Sequence, residues 1–405
     1  MKKIDAQRVL LYILLFGTMI MFGVVDNIRG VSFPLIRNEF DVPFEWQGLM
    51  VSALSLAVVI SNIITGILLK RFGAKPATLV GCLGICIGLV LVFFMPGFFS
   101  VALALFVVSF GFGFLDIGIN ALASQVFVVK AALMMNLLHS FFGIGSILGP
   151  QVARLAVGSE GLGWRSAYLF LLPLLLLLLA IAFIARFPKD GAEASAGGDP
   201  SGAPDDIAKR KNFFDALRMP MVWLIALTLG VATVIESNTP NWGLLHFQDV
   251  YGIDPAVEGA TFLSTFFLLF TVSRLVCGSL VEKLGYVRSL LGVAVLTLAV
   301  LIAGFSLGAR GIFVLPALGF LVALFWPTMM AVAIVSFGRD APVCAGAVIA
   351  IAGIVNSAAQ FLVGLTNRAL GPAWGYRSTL VYTVILIFAL LLLYKNLRRR
   401  NVRKI

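Results

Sequence analysis

Charge is scarce in this chain: only 12% of its 405 residues are Asp, Glu, Lys or Arg, and the acids number 19. So little charge cannot cover a water-facing surface, and a mean hydropathy of +1.03 excludes a soluble globular protein of this length. Histidine is scarcer still, with two residues that fall in different halves of the chain. Neither has the companions of a Ser-His-Asp set or the spacing of a metal site, so no catalytic centre, metal or cofactor is expected. Cys82, Cys86, Cys277 and Cys344 all sit inside apolar runs without ligand spacing, and they read as small, reduced core residues. A Gly-x-x-x-x-Gly-Lys-Ser/Thr loop is missing, which gives no support to direct ATP drive. The alternating pattern of a membrane barrel is missing too, and that leaves helices.

What the chain has is apolar segments, near 9–36, 46–69, 76–95, 98–127, 131–157 and 164–186, then 219–246, 257–281, 287–307, 311–336, 342–368 and 376–395. A run of about 20 apolar residues spans a ~30 Å hydrocarbon core as a helix. The expectation is therefore an all-α integral membrane protein with twelve transmembrane helices, six on each side of a polar stretch. That stretch, 187–218, carries the Gly- and Ser-rich run 191–200 and reads as a flexible linker. The expected units are thus 1–186, the linker 187–218, a second half 219–396, and a basic tail 397–405. Leu10 to Val25 follows Lys2-Lys3 as a signal peptide would, but the run passes through Asp26 without a small-residue cleavage site and reads as a retained first helix.

The net charge of +11 would suggest nucleic acid in a soluble protein; here most of the basic residues fall in the loops and ends on one side. Lys70, Arg71 and Lys75, Lys283 and Arg288, the linker cluster, and the tail from Lys395 to Lys404 share that side. This places both termini in the cytoplasm, in a plasma (inner) membrane.

One short loop occurs twice. Gly66 is followed by Lys70-Arg71 and then Gly73, and Gly278 by Glu282-Lys283 and then Gly285. Two membrane helices joined so tightly must be antiparallel neighbours, and a repeat of the joint implies duplicated halves. The pattern resembles the loops between helices 2 and 3 and between helices 8 and 9 of the major facilitator superfamily, which assigns these residues and the nearby Arg274 to gating and predicts two pseudo-symmetric six-helix halves. Lys70 stands where that family usually has an aspartate. Arg274, just before Gly278, reads chiefly as an anchor for the end of helix 8.

Polar residues inside the apolar runs come next, because an ionisable group at mid-membrane costs several kcal/mol and usually faces a cavity or a partner. Helix 1 carries Asp26, Asn27 and Arg29, whose spacing also allows a permanent Asp26–Arg29 pair. Helix 4 carries Asp116 and Asn120, and helix 5 carries Asn136 and His139. Helix 7 has Glu236, Asn238, Asn241 and Trp242, helix 10 has Trp326, and helix 11 has Asn356 and Gln360. Carried over the spacing of the repeated glycines, Asp26 falls on Asn238, close to Glu236, so acids sit at comparable depths in both halves. The glycines Gly143, Gly145 and Gly149 before Pro150 on helix 5 read mainly as packing.

The stretches 111–120 and 136–143, with Glu236 to Gly243 and Phe325-Trp326-Pro327-Thr328, resemble the fucose permease branch of the superfamily, which are sugar:cation symporters. That resemblance implies import of a small polar solute, sugar-like, with a proton or sodium ion. In it, helices 1, 4, 7 and 10 line the cavity. Asp116 occupies the position of the branch's proton-linked glutamate, and Gly30 that of its helix 1 aspartate. Asp116, Asp26 and Glu236 are thus the candidate coupling acids. Asn27, Asn120, Asn136, His139, Asn238, Asn241, Trp242, Trp326, Asn356 and Gln360 are the candidate solute ligands. The partners expected are the solute, the ion and the lipid bilayer, with no nucleic acid, for a monomer. An efflux antiporter for drugs or lipids and a transporter-like sensor are the rival readings.

Overall fold

A segment that crosses hydrocarbon must pair its backbone polar groups internally, so each apolar run closes its own helical hydrogen bonds. The computed structural model describes residues 6–128, 131–158, 163–188 and 213–400. Within them twelve helices are long and apolar enough to span a membrane. They are α1 (Ala6–Phe40), α2 (Phe44–Leu69), α3 (Ala74–Phe94), α4 (Phe98–Val126), α5 (Met134–Gly158) and α6 (Gly163–Ile184). The second set is α7 (Pro220–Tyr251), α8 (Glu258–Val276), α9 (Tyr286–Ser306), α10 (Ala317–Asp340), α11 (Val343–Leu370) and α12 (Pro372–Arg399). The expected linker falls mostly in 189–212 and the end of the basic tail in 401–405, both outside the described residues.

The repeat seen in the two loops runs through the contacts. Gly73 and Gly285 both take a positive φ, 77° and 93°, where a side chain would be strained. Arg37 at the end of α1 pairs with Asp249 near the end of α7 at 2.9 Å, and the two lie 212 positions apart, the same spacing as Gly73 and Gly285. Arg165 bonds Glu39 at 2.5 Å, and at that spacing Arg377 bonds Tyr251 at 3.4 Å. The sequence carries this echo as Gly163-Trp164-Arg165-Ser166 and Gly375-Tyr376-Arg377-Ser378.

Glycines set how closely the helices approach. A Cβ on Gly145 of α5 would lie 2.1 Å from the Ile20 carbonyl of α1, and one on Gly23 of α1 would lie 2.2 Å from the Phe142 carbonyl. Gly145 and Gly149 therefore weld α1 to α5, whereas Gly143 faces Thr271 of α8, where a Cβ would lie 2.3 Å from its Oγ1. Gly145→Val is expected to lower the melting temperature sharply, because backbone carbonyls cannot move aside as side chains can. Overpacking costs of about 1–3 kcal/mol are usual, and a scan on purified protein measures the loss.

Contacts between the halves lie from mid-depth toward the face away from the chain ends. There α2 meets α11 with Gly48 against Gly364, a Cβ on Gly48 reaching 2.9 Å from the Gly364 Cα. Glu45 pairs with Arg368 at 2.9 Å. The α5–α8 seam is closed by Gln151, whose Nε2 donates to Ser264 Oγ at 2.9 Å. On the other face, Gly66, Gly278 and Gly346 have no neighbour within 4 Å of a built Cβ. Gly66 and Gly278 thus serve no close packing in this state. The halves are closed on the face away from the termini and apart on the face that carries them.

Candidate functional site

The polar side chains fall into three groups, and helix geometry decides which can meet a solute. The first is spent on internal packing. Gln360 of α11 is fully buried, accepts from Trp242 Nε1 at 2.8 Å, and donates to Ser237 Oγ at 3.0 Å and Asn238 Oδ1 at 3.2 Å. Asn238, also fully buried, donates to Thr379 Oγ1 at 3.1 Å. Asn27 donates to Ser146 Oγ at 3.0 Å and to the Gly23 carbonyl at 2.9 Å. Asn27, Asn238, Trp242 and Gln360, all expected as solute ligands, hold helices together here, because their polar atoms face neighbouring helices. Gln360→Ala is accordingly expected to destabilise the fold. It would orphan the Trp242 indole N–H, at a cost of about 1–3 kcal/mol, which is seen as a lower melting temperature with or without solute.

Asn241 and Trp242 sit in a one-turn π-helical segment, Thr239–Gly243, inside α7, beside Pro240, which has no N–H to give an α-helical bond. That segment presses on α1: a Cβ on Gly30 would lie 2.5 Å from Leu263 Cδ1 and 3.0 Å from the Pro240 carbonyl. A side chain at this position would first have to displace Leu263. Asp26, one turn earlier, is instead engaged by Arg29 in an ion pair, both side chains about one-quarter exposed.

The second group lies in the first half. Asp116 on α4 is half-buried, and its Oδ1 accepts from Asn120 Nδ2 at 2.9 Å. At about 1.5 Å per residue, Asp116 is roughly 15 Å from the end of α4 at Val126. Facing α4 from α2 is Asn62, whose Oδ1 lies 2.9 Å from a Cβ built on Gly113. Asn62 Oδ1 and Asn120 Oδ1 are both buried without a hydrogen-bond partner. Asn62 escaped the sequence reading. The signal for it was the repeat, since it stands before Gly66 as Arg274 stands before Gly278.

The third group crosses the interface. Arg274 on α8 lies over the Phe270 ring at 4.2 Å, with a buried Nε that has no acceptor. A Cβ on Gly143 of α5 would lie 2.3 Å from Thr271 Oγ1 of α8, so the two helices meet across the halves about one turn from His139 and from Arg274. Arg274 therefore lies beside this seam. Asn136 and His139 are exposed on α5, while Glu236, Asn241, Trp326 and Asn356 are half-buried. Ser237 Oγ donates to Asn356 Oδ1 at 2.8 Å, which leaves the Asn356 amide N–H₂ free to donate.

Of the loop residues, Arg71 stacks its guanidinium on Phe72 at 5.2 Å, and the Lys70 side chain lies outside the described ones. Lys75 donates to the Phe183 and Ala185 carbonyls at 2.8 and 2.9 Å, capping the end of α6. Among the described residues no group of three or more His, Cys, Asp or Glu could hold a metal ion.

A model of the Major Facilitator Superfamily matches residues 14–364. The chain belongs to that superfamily. It is therefore a multi-pass membrane protein of a superfamily of transporters, not enzymes, whose members bind small molecules in a bilayer. Among curated superfamily relatives, an uncharacterized MFS-type transporter of Yersinia pestis is 23% identical over 60% of this chain and 59% of its own length. A probable sulfoacetate transporter of Cupriavidus necator, SauU, is 27% identical over 41% of this chain and 39% of its own. The chain thus matches less than two-thirds of the length of either. Solved superfamily structures share the fold along nearly the whole chain. The nucleoside transporter NupG superposes with a TM-score of 0.77 at 14% identity, covering 96% of this chain and all of NupG. A bacterial homologue of the lysosomal transporter Spinster gives 0.79 at 13%, covering 97% and 98%. FucP, crystallised in the outward conformation, gives 0.63 at 16%, covering 96% and 99%.

Proposed function

We propose that this transporter imports a small polar, sugar-like solute together with a cation, by alternating access of its two halves about a site near mid-membrane. The observation that carries the reading is the pair of half-buried carboxylates, Asp116 on α4 and Glu236 on α7, set among amides and clear of any direct ion pair among the described residues. An acid kept at such depth without a fixed cation can exchange a proton or bind sodium and so tie ion movement to solute movement. Asp26 is the weaker candidate because Arg29 already neutralises it.

Solute recognition falls to Asn120, Asn136, His139, Asn241, Trp326 and Asn356, with Asn62 added. Hydroxyl groups need several directed donors and acceptors, and these side chains offer both. The halves 1–186 and 219–396 are the rocking units, joined by 187–218, in a monomer with both termini cytoplasmic in the inner membrane. The loops about Gly66 and Gly278 then lie on the cytoplasmic side, and the state described above faces inward. Of the relatives' names, fucose:proton symport for FucP and nucleoside transport for NupG agree with a hydroxylated solute. An exporter of apolar compounds fits less well, because several amides and two unpaired carboxylates stand among the candidate site residues.

Counterflow of labelled sugars and nucleosides in liposomes tests the reading. Exchange of a hydroxylated solute by the wild-type protein, weakened by Asn136→Ala and Asn356→Ala without loss of folding, is the expected result. Exchange of amphipathic drugs alone would overturn it.

A further inference from the structure

The least compensated group in the membrane interior is Arg274. It forms no direct ion pair among the described residues, and its Nε is buried with no acceptor. Its helix ends two residues later at Val276, and helical structure resumes over Gly278–Leu284. The repeat supplies an independent sign that this position addresses the cavity, since its counterpart Asn62 also holds a buried, unpartnered oxygen. A guanidinium on an aromatic face, with its fork unfilled, is built for a planar or trigonal anion.

We propose that Arg274, with His139 facing it from the other half, binds an anionic group of the transported solute, a carboxylate or sulfonate, so that the substrate is a hydroxylated acid rather than a neutral sugar. This rests on the transport reading above and narrows it. Glu236 is the half-buried acid of the same half, and it has no direct ion pair among the described residues. From the other elements against α8, α5 contributes His139, α10 has no charged residue between Ala317 and Phe337, and Asp26 on α1 is held by Arg29. A solute anion on Arg274 adds negative charge to this half, which favours a proton from solvent on the Glu236 carboxylate. The proton and the acid each favour the other's binding by the same factor.

The test uses the full chain purified in detergent, with thermal stabilisation by matched probes: galactose and galacturonate, glucose and gluconate, and sulfoacetate. An acid of this set is expected to raise the melting temperature while its neutral partner does so far less. Arg274→Gln should weaken that acid at least tenfold, Arg274→Lys should be intermediate because it keeps charge but not the fork, and Glu236→Gln should bind it with a flattened pH dependence. If no acid stabilises the wild type, or if the acids bind Arg274→Gln as they bind the wild type, the inference fails. Should Arg274→Gln not fold, Arg274→Lys and His139→Ala decide, and unchanged acid affinity in both overturns it. Counterflow separates the two readings: exchange of neutral sugars with no response to acids leaves transport standing and removes the anion site.

Discussion

Liposomes carrying the Asp116→Asn protein are expected to exchange solute at near wild-type rates while losing uphill accumulation altogether. The amide keeps the shape of the protonated acid and its contact with Asn120, so solute binding and rocking should survive. What it cannot do is release a proton on the far side. A one-unit pH gradient supplies about 1.4 kcal/mol per proton, enough for roughly tenfold accumulation in a one-to-one symporter. The expected change is from that ratio to equality, with exchange as the internal control. Accumulation by Asp116→Asn under an imposed inward proton gradient would remove Asp116 as the coupling acid and pass the role to Glu236. Asp26→Asn should change little, since its carboxylate is committed to Arg29.

The sequence revealed the fold more readily than the site, for a physical reason. Hydropathy and the repeated loop report which segments enter the membrane and that the halves are copies; these are properties of whole segments. A site depends on which face of a helix a side chain occupies. Trp242, Asn238 and Gln360 looked like ligands because amides and indoles are rare in lipid. They are rare for two reasons, however, and here the second applies: they glue α7 to α11. Arg274 looked like an interfacial anchor because its helix ends soon after. In the structure it stacks on Phe270 with a buried Nε that has no acceptor, a contact that residue counting does not report. Asn62 could have been found by carrying Arg274 across the repeat. The three carboxylates were all noticed, but only contacts separate Asp26, which is paired, from Asp116 and Glu236, which are not.

The other large effect is expected at the seam between α2 and α11. Gly48 and Gly364 meet backbone to backbone, and a Cβ on Gly364 would lie 2.8 Å from the Gly48 Cα and 2.8 Å from the Phe44 carbonyl. Neither neighbour is the movable end of a side chain, so Gly48→Leu with Gly364→Leu must separate the helices. The ion pairs beside them, Arg37–Asp249 and Glu45–Arg368, bridge the same face and would be pulled apart. Each partner would then be solvated, so hydration offsets the loss of these part-buried pairs. The backbone clash dominates, and the protein should be held in the alternative state, open on the face away from the termini and closed on the other. Transport should fall to background while the protein remains folded, because Gly48 and Gly364 pack between the halves and not within either one. Spin labels at Gly66 and Gly346, which have free space about them here, report the change. Their separation should shorten in the double variant relative to the wild type. An unchanged distance together with normal transport would mean that this seam does not gate the molecule.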